Sequence, residues 1–403
     1  MNAREMRGLE IAARLRIIQN GNTWLVPSQS GKGKYAVDLN PQPPNCTCAD
    51  FEVHRAKCKH IYAVEFVVQR EKSSDAEVIA LDTPAETPTR KTYKQKWSEY
   101  NQAQTNEKSE FQRLLFALCL EIKEPEQNFG RPRASLREML FSACFKVYSG
   151  FSGRRFMSDL RDAKEKGYVS KAAHYNTIFK YLEDDKLTEP LRELITRSSL
   201  PLKAIETDFA VDSSGFSTSK YVSWFNTRYG HEQDNHDWVK MHLMCGVHTN
   251  IVTSVEISGR HANDSPFFKP LVNATKKNFK IAEVSADKAY SSRENLRLVQ
   301  KHGATPYIVF KKNAKEGEEC QTWNKLFHYY SLHREEFLTR YHKRSNVEST
   351  FSMIKAKFGG HLRSKTDTAQ INEALCKVLC HNTCVVIQSI YELGTTPNFG
   401  FGT

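Results

Sequence analysis

The stretch IETDFAVDSSGFS, residues 205–217, decides the fold class of this chain. An apolar run leads to Asp212 and then into a Ser/Gly turn, which is typical of a buried strand with a carboxylate at its end. A second such run, FKIAEVSADKAYSS, residues 279–292, ends at Asp287. Other strands and helices are indicated at 238–258, 302–312, 265–277 and 292–303. Strands that alternate with helices predict an α/β fold with a mixed central sheet flanked by helices.

A charged stretch nearer the C-terminus, YHKRSNVESTFSMIKAKFG, carries the second signal. On one continuous helix its spacing, Tyr341-x2-Arg344-x3-Glu348-x6-Lys355, would put all four side chains on one face. One carboxylate among cations is a poor core but is suited to holding a metal ion beside phosphates. The alternative is a surface salt-bridge cluster, but exposed ion pairs contribute little stability and need no such spacing.

Three acids, Asp212, Asp287 and Glu348, are therefore the candidate catalytic residues. If the fold brings them together they repel one another unless cations neutralise them. A set of oxygen ligands suits Mg²⁺ or Mn²⁺. Two such ions, roughly 3.5–4 Å apart, can activate a water or a 3′-hydroxyl for displacement at phosphorus. Asp212 could instead cap a turn, and Asp208 is its rival as a metal ligand, but Asp212 stands just after the apolar run.

The N-terminal region contains CTCADFEVHRAKCKH, in which Cys46 and Cys48 precede Cys58 and His60. Three thiolates and one imidazole complete the tetrahedral shell of a structural Zn²⁺ and leave no position open for chemistry. His54 lies between the two pairs and is interpreted as a surface residue. Residues 20–40 alternate apolar and polar side chains and predict a hairpin before this module.

Length and composition indicate the number of domains, the charge of the partner and the location of the protein. A chain of 403 residues indicates two or three domains, and 58 basic against 46 acidic residues (58 − 46 = +12) indicate a polyanionic partner. We expect no membrane-spanning segment and no signal peptide, and hence a cytoplasmic protein. The cysteines then are metal ligands or buried hydrophobes. The stripe Cys376, Cys380 and Cys384 is interpreted as a packed apolar helix rather than a metal site.

The predicted domains are a zinc module at 1–70, a linker at 71–92, a helical region at 93–203 and the α/β domain at 204–395. The helical region is a candidate DNA-binding region. Its candidate phosphate contacts are Arg131, Arg133, Arg154 and Arg155. Solvated cations on a helical bundle explain them equally well.

Residues 20–70 resemble a SWIM zinc finger, because C-x-C is followed by a spacer, C-x-H and an apolar helix. The resemblance implies a small module that binds DNA or protein, and the sequence does not choose between these.

From about residue 93 to 399 the chain resembles the DDE insertion-sequence transposases that carry the Tyr-Arg-Glu-Lys signature. Its three acids match Asp212, Asp287 and Glu348, and the D-x-x-Y form adds Tyr290. The resemblance implies an RNase H-like core, metal-dependent cleavage and strand transfer on DNA, and at least a homodimer on DNA. It also implies that Tyr341, Arg344 and Lys355 contact DNA. A retired transposase acting as a zinc-dependent DNA-binding regulator, or a nuclease of the same fold, are the alternatives.

The interval between the second and third acids is only 61 residues (348 − 287 = 61). Family members that cut through a DNA hairpin carry a long β-rich insertion there. The resemblance therefore gives this chain no support for the hairpin route.

Overall fold

The structure is a computed structural model. It describes residues 3–15, 17–28, 33–40, 43–72, 96–127, 129–130, 133–218, 238–311, 314–315 and 321–400. Most of the predicted linker and the candidate phosphate contact Arg131 lie outside these residues. The chain forms two compact units, Met1–Tyr93 and Lys94–Thr403. The further boundary predicted near residue 203 stays a prediction.

The N-terminal unit contains a small antiparallel sheet between helices. Its elements are α1 (Ala3–Arg14), β1 (Ile18–Asn20), β2 (Thr23–Pro27), β3 (Lys34–Asp38), β4 (Asn45–Cys46), α2 (Ala49–His54) and α3 (Lys59–Lys72). The predicted hairpin is the pair β2 and β3, in which Trp24 lies opposite Val37. Trp24, Val26 and Val37 are buried against Ile61 and Val64 of α3, so a helix closes one face of the sheet.

The C-terminal unit begins with five helices. They are α4 (Trp97–Leu120), α5 (Leu136–Ser149), α6 (Gly153–Glu165), α7 (Tyr175–Leu182) and α8 (Thr188–Ser199). Ser135 caps the start of α5, since its Oγ accepts the Glu138 N–H. Gly150 ends the same helix at φ 66°, a conformation that favours glycine.

The rest of this unit is the predicted α/β domain. Its strands are β5 (Asp208–Ser217), β6 (Trp238–Gly246), β7 (Val252–Ser258), β8 (Glu283–Ala286) and β9 (Thr305–Ile308). Its helices are α9 (Ser265–Lys276), α10 (Arg293–Lys301), α11 (Gln321–Leu332), α12 (Arg334–Tyr341), α13 (Ser345–Phe358) and α14 (Asp367–Leu393). Between Asp287 and Glu348 the described residues contain one strand, β9.

The five strands lie in the order β7-β6-β5-β8-β9. β5 pairs antiparallel with β6 and parallel with β8, while β6 and β7 are antiparallel and β8 and β9 are parallel. Only the second strand along the chain therefore runs against the others. This order, third-second-first-fourth-fifth, is that of an RNase H-like sheet, so the predicted fold class is confirmed.

Helices cover both faces of the sheet, and the alternation of side chains along β5 assigns each residue to one of them. Ala210 and Phe216 belong to a core shared with α4, α5, α8, α13 and α14. Phe209 and Val211 belong to a second core shared with α9 and α10. Asp212 therefore faces the side of α13 and α14, while Ser213 faces α9.

The helix α14 is the central support of the first core. By length and composition alone it could cross a membrane, contrary to the expectation from sequence, but 78% of its most apolar window is buried inside the protein. Asn382, fully buried, donates to Ser198 Oγ in α8 and to the Val252 carbonyl in β7, and accepts the Val252 N–H. These bonds satisfy polar groups that would be costly to bury alone, and they join three elements.

Candidate active site and metal centre

Asp212 and Asp287 occupy matching positions on adjacent parallel strands. Val211 of β5 pairs with Ala286 of β8, and each acid is the next residue along its chain. Since neighbouring strands lie about 4.8 Å apart, the two carboxylates start side by side. Asp212 Oδ1 accepts the Ser213 N–H at 2.8 Å, and Asp287 Oδ1 accepts the Lys288 N–H at 2.7 Å. One carboxylate oxygen of each acid thus accepts a backbone N–H, and the second oxygen is not bonded to these N–H groups.

Arg344 connects these strands to Glu348. Its Nη1 lies 2.8 Å from Asp212 Oδ2, and its Nη2 lies 2.6 Å from Glu348 Oε1. The guanidinium therefore stands between the first and the third acid. Burial raises the pKa of the Asp212 carboxyl, and the nearby charges of Asp287 and Glu348 raise it further while Arg344 opposes them. The arrangement is an acidic site that requires cations.

The Tyr-Arg-Glu-Lys stretch is helical, but a short 3₁₀ turn divides it into two α-helices. α12 ends at Tyr341, a 3₁₀ turn spans His342–Arg344, and α13 begins at Ser345. The turn crosses the strands, so that Lys343 reaches Asp208 and Arg344 reaches Asp212. Two successive cations thereby meet two acids of one strand.

Tyr341 and Lys355 flank the acids. The Tyr341 ring centroid lies 5.9 Å from the Arg344 guanidinium, and burial raises the pKa of the Tyr341 hydroxyl. Lys355 Nζ donates to Ser214 Oγ of β5 at 2.7 Å and lies 5.4 Å from the Phe216 ring centroid. Burial lowers the pKa of Lys355. In the part of the chain that the structure describes, this ammonium has no ion-pair partner, so a cationic donor is available beside the acids.

Sequence reasoning missed a second ion-pair cluster on the same strands. Lys343 Nζ lies 2.6 Å from both Asp208 Oδ2 and Glu283 Oε2, and Arg340 Nη1 lies 2.7 Å from Glu283 Oε1. Asp208 and Glu283 pair across the strands, four residues before Asp212 and Asp287 respectively. This repeated spacing of acids was the available signal. Asp208, the rival metal ligand, is engaged by Lys343 instead of by Arg344.

The opposite face of β5 holds a further polar cluster around Asp264. Its Oδ1 lies 2.6 Å from Lys240 Nζ and 3.0 Å from Ser213 Oγ. His242 is buried beneath it, and burial lowers the pKa of this imidazole to about 4, so the ring is neutral at pH 7. Because Ser213 is the residue after Asp212, this cluster holds β5 next to the acid site, on the opposite face of the sheet.

The four predicted zinc ligands come together in the N-terminal unit. Cys46, Cys48, Cys58 and His60 are buried, and their donor atoms all lie within 4.8 Å of one another. His60 Nδ1 is 3.8 Å from Cys46 Sγ and 3.9 Å from Cys58 Sγ. Hydrogen bonds from Cys46 and His60 lower the pKa of the Cys58 thiol, although burial opposes this. The set fits the tetrahedral, sulfur-rich shell of Zn²⁺.

This is the one such cluster of His, Cys, Asp and Glu found among the described residues. The three acids do not meet that distance, since Arg344 separates two of them. His54, the residue between the ligand pairs, is exposed and near Asp50, as expected of a surface residue. The stripe of cysteines in α14 packs in the core, where Cys376 contacts Cys144.

Two features indicate the class of this protein. One is the acidic site, bridged by an arginine, on an RNase H-like sheet. The other is the separate cluster of three cysteines and one histidine. Residues 203–383 match the family model of the transposase DDE domain, and residues 35–69 match that of the SWIM zinc finger. The chain therefore contains a transposase DDE domain and a SWIM zinc finger.

A curated relative and a solved structure were also found. The chain is 26% identical over 213 residues to the probable transposase of an insertion sequence element from Archaeoglobus fulgidus, a match that covers 53% of this chain and 63% of that protein. The piggyBac transposase synaptic complex with hairpin DNA aligns over 72% of this chain and 74% of its own, at 10% identity and a TM-score of 0.35. That score is too low to establish a common fold.

The cluster around Lys343 yields a prediction about stability. Lys343→Met leaves Asp208 and Glu283 facing each other across adjacent strands at 14% and 15% exposure. We expect the free energy of unfolding to fall by about 2 kcal/mol, less than for a fully buried pair because water still reaches the side chains. Denaturant titration measures this value. Adding Asp208→Asn and Glu283→Gln should restore most of it, and a single variant as stable as the parent would contradict the prediction.

Proposed function

We propose that this chain is a transposase that cleaves DNA at the ends of its mobile element and joins the 3′ ends to target DNA. The observation that carries the proposal is that the Arg344 guanidinium lies between Asp212 and Glu348, while Asp287 follows the strand next to that of Asp212. Burial raises the pKa of Asp212, and the charges of Asp287 and Glu348 raise it further, which supports a shared acidic site.

The three acids fit a site for Mg²⁺ or Mn²⁺. All the donors are carboxylate oxygens, which hard divalent cations prefer, and Arg344 already shows that a cation is stable between two of them. Asp287 Oδ2 has no hydrogen-bond partner among the described residues and is available as a ligand. When bound, two such ions would activate the attacking water or 3′-hydroxyl and stabilise the leaving oxygen.

The cations of the signature stretch would bind and orient the DNA backbone. Arg344 presents a planar fork of donors that suits phosphate oxygens as well as carboxylates. Lys355, tethered to Ser214 of β5, would place a point charge beside the scissile phosphate. Tyr341 would support Arg344 through its ring and offer its hydroxyl to the backbone.

The remaining parts of the chain would serve recognition and assembly. The SWIM module would bind one structural Zn²⁺ and contact DNA or protein, and the helices at 93–203 would contact the element ends.

Because a transposase must hold two ends, we propose a homodimer on DNA, acting in the cytoplasm at the nucleoid. The mass of the complex formed with a single labelled end tests this, and one protein chain per complex would reject it.

Replacing the acids tests the catalytic proposal. Asp212→Asn, Asp287→Asn and Glu348→Gln should each reduce cleavage of a duplex carrying the terminal repeats by about 10²-fold or more, with DNA binding retained, because each removes ligand charge. Gel analysis of labelled DNA with Mg²⁺ measures cleaved and joined products. Asp208→Asn is the matched control, since Glu283 still holds Lys343 and cleavage should persist.

The outcomes separate the candidates. If the Asp212→Asn variant still cleaves DNA and the Asp208→Asn variant does not, Asp208 and not Asp212 is the catalytic metal ligand. DNA binding without any cleavage by the parent protein would indicate a regulator, and cleavage without joined products would indicate a nuclease.

The zinc proposal has its own test. His60→Ala removes the nitrogen that faces two thiols, so zinc content should fall from about one equivalent per chain to near zero, and the N-terminal unit should become sensitive to protease. His54→Ala is the control: the same residue type, exposed and outside the cluster, should leave zinc content unchanged. Metal analysis after gel filtration measures both. Full zinc retention in His60→Ala would reject the assigned ligand set.

A further inference from the structure

A cavity of about 350 Å³ lies in the helical layer of the C-terminal unit, lined by none of the acid-site residues. Its walls come from α5, α7 and the segment between α13 and α14. They carry three cations, Lys146, Arg363 and Lys365, against one carboxylate, that of Glu183. The lining is thus positively charged and separate from the acidic site.

Lys146 is the unusual member of this lining. Its residue is only 7% exposed, yet its ammonium has no hydrogen bond and no ion pair within the described ranges. Its charge lies 5.6 Å from the Phe179 ring centroid, a contact much weaker than an ion pair. Burial lowers the pKa of Lys146, although the charge of Glu373 opposes this. Because Lys146 is little exposed and no carboxylate is bonded to its ammonium among the described residues, an anion in the cavity would be attracted to this charge.

The nearest acid that could neutralise Lys146 from within the protein is already engaged. Both carboxylate oxygens of Glu373 accept the Arg363 N–H, and one of them also accepts the Ser364 N–H. The Arg363 side chain is itself held by the Gly150 carbonyl. The loop that carries Arg363 and Lys365 is therefore fixed before any ligand arrives, as a preformed site requires.

The start of α14 adds to the positive field. Thr366, its N-cap residue, makes no side-chain capping bond, and Ala369 of the first turn lines the cavity. Uncapped N–H groups at a helix start attract anions. Asp367, also in this turn, is exposed, and it lowers this attraction without filling the cavity.

We propose that this cavity binds a phosphate group of the DNA backbone, a contact point outside the acid site. The inference rests on the DNA-cleaving function proposed above. The surface next to the cavity favours DNA over a free anion, because α6 begins at Gly153 against the Phe179 ring and its first turn carries the exposed Arg154 and Arg155. Several cations next to a phosphate-binding cavity suit a DNA backbone, which carries many phosphates, better than a single free ion.

The experiment uses the full-length, zinc-loaded protein without Mg²⁺, so that cleavage does not intervene. Fluorescence anisotropy gives the Kd for a labelled duplex at several salt concentrations. In Lys146→Met and in Lys365→Met we expect weaker binding and a log K against log[salt] slope smaller by about 0.9, the value of one phosphate contact. Lys301→Met is the matched control, since this exposed lysine lies on α10, on the other face of the sheet.

Lys365 is exposed, so its variant carries the test even if Lys146→Met does not fold. Slopes equal to that of the parent in the folded variants would overturn the inference. Inorganic phosphate that binds the parent protein but not Lys146→Met, together with an unchanged DNA slope, would assign the cavity to free phosphate and also overturn it. A parent protein that binds no DNA would fail the proposed function itself, which distinguishes the two failures.

Discussion

The parallel pairing of β5 with β8 is the constraint on which the site depends. Because Val211 lies opposite Ala286, Asp212 and Asp287 leave the sheet at the same level, and a shift of one residue would turn one of them to the opposite face. The register is held by the apolar residues of both faces, with Phe209 and Val211 packed on one side and Ala210 on the other. The core thus sets the distance between two like charges that would otherwise move apart.

Two successive cations, Lys343 and Arg344, offset this repulsion, and each binds a different pair of acids. Lys343 binds the two acids at the start of the paired strands, and Arg344 binds Asp212 and Glu348. Lys343 is therefore a structural anchor that fixes where the turn crosses the sheet. Arg344, whose partner Glu348 is 56% exposed, is the more easily displaced of the two. A divalent cation would compete with Arg344 for the two carboxylates, and a phosphate would compete with the carboxylates for Arg344, in both cases without breaking the anchor.

Much of this could be predicted from sequence. Apolar runs ending in Asp212 and Asp287 identified two sheet strands, and Cys46 to His60 identified a cluster that the structure brings within ligand distance. The turn at His342–Arg344 could not be predicted, because helical spacing is compatible with either an α-helix or a 3₁₀ turn, and the choice depends on contacts with distant Asp208 and Asp212. The burial of α14 was expected from its stripe of cysteines, although hydropathy alone does not distinguish a core helix from a membrane helix.

The proposed phosphate cavity and the acid site are mechanically linked through β5. Ser217, five residues after Asp212, donates its N–H to the Gly360 carbonyl and accepts the Leu362 N–H. Lys377 of α14 donates to the carbonyls on either side, those of Gly359 and His361. The segment that carries Arg363 is therefore tied to the strand that carries Asp212 and to the central helix. Because these hydrogen bonds hold the segment against the strand, a DNA backbone bound in the cavity would meet the acids at a fixed distance along the DNA.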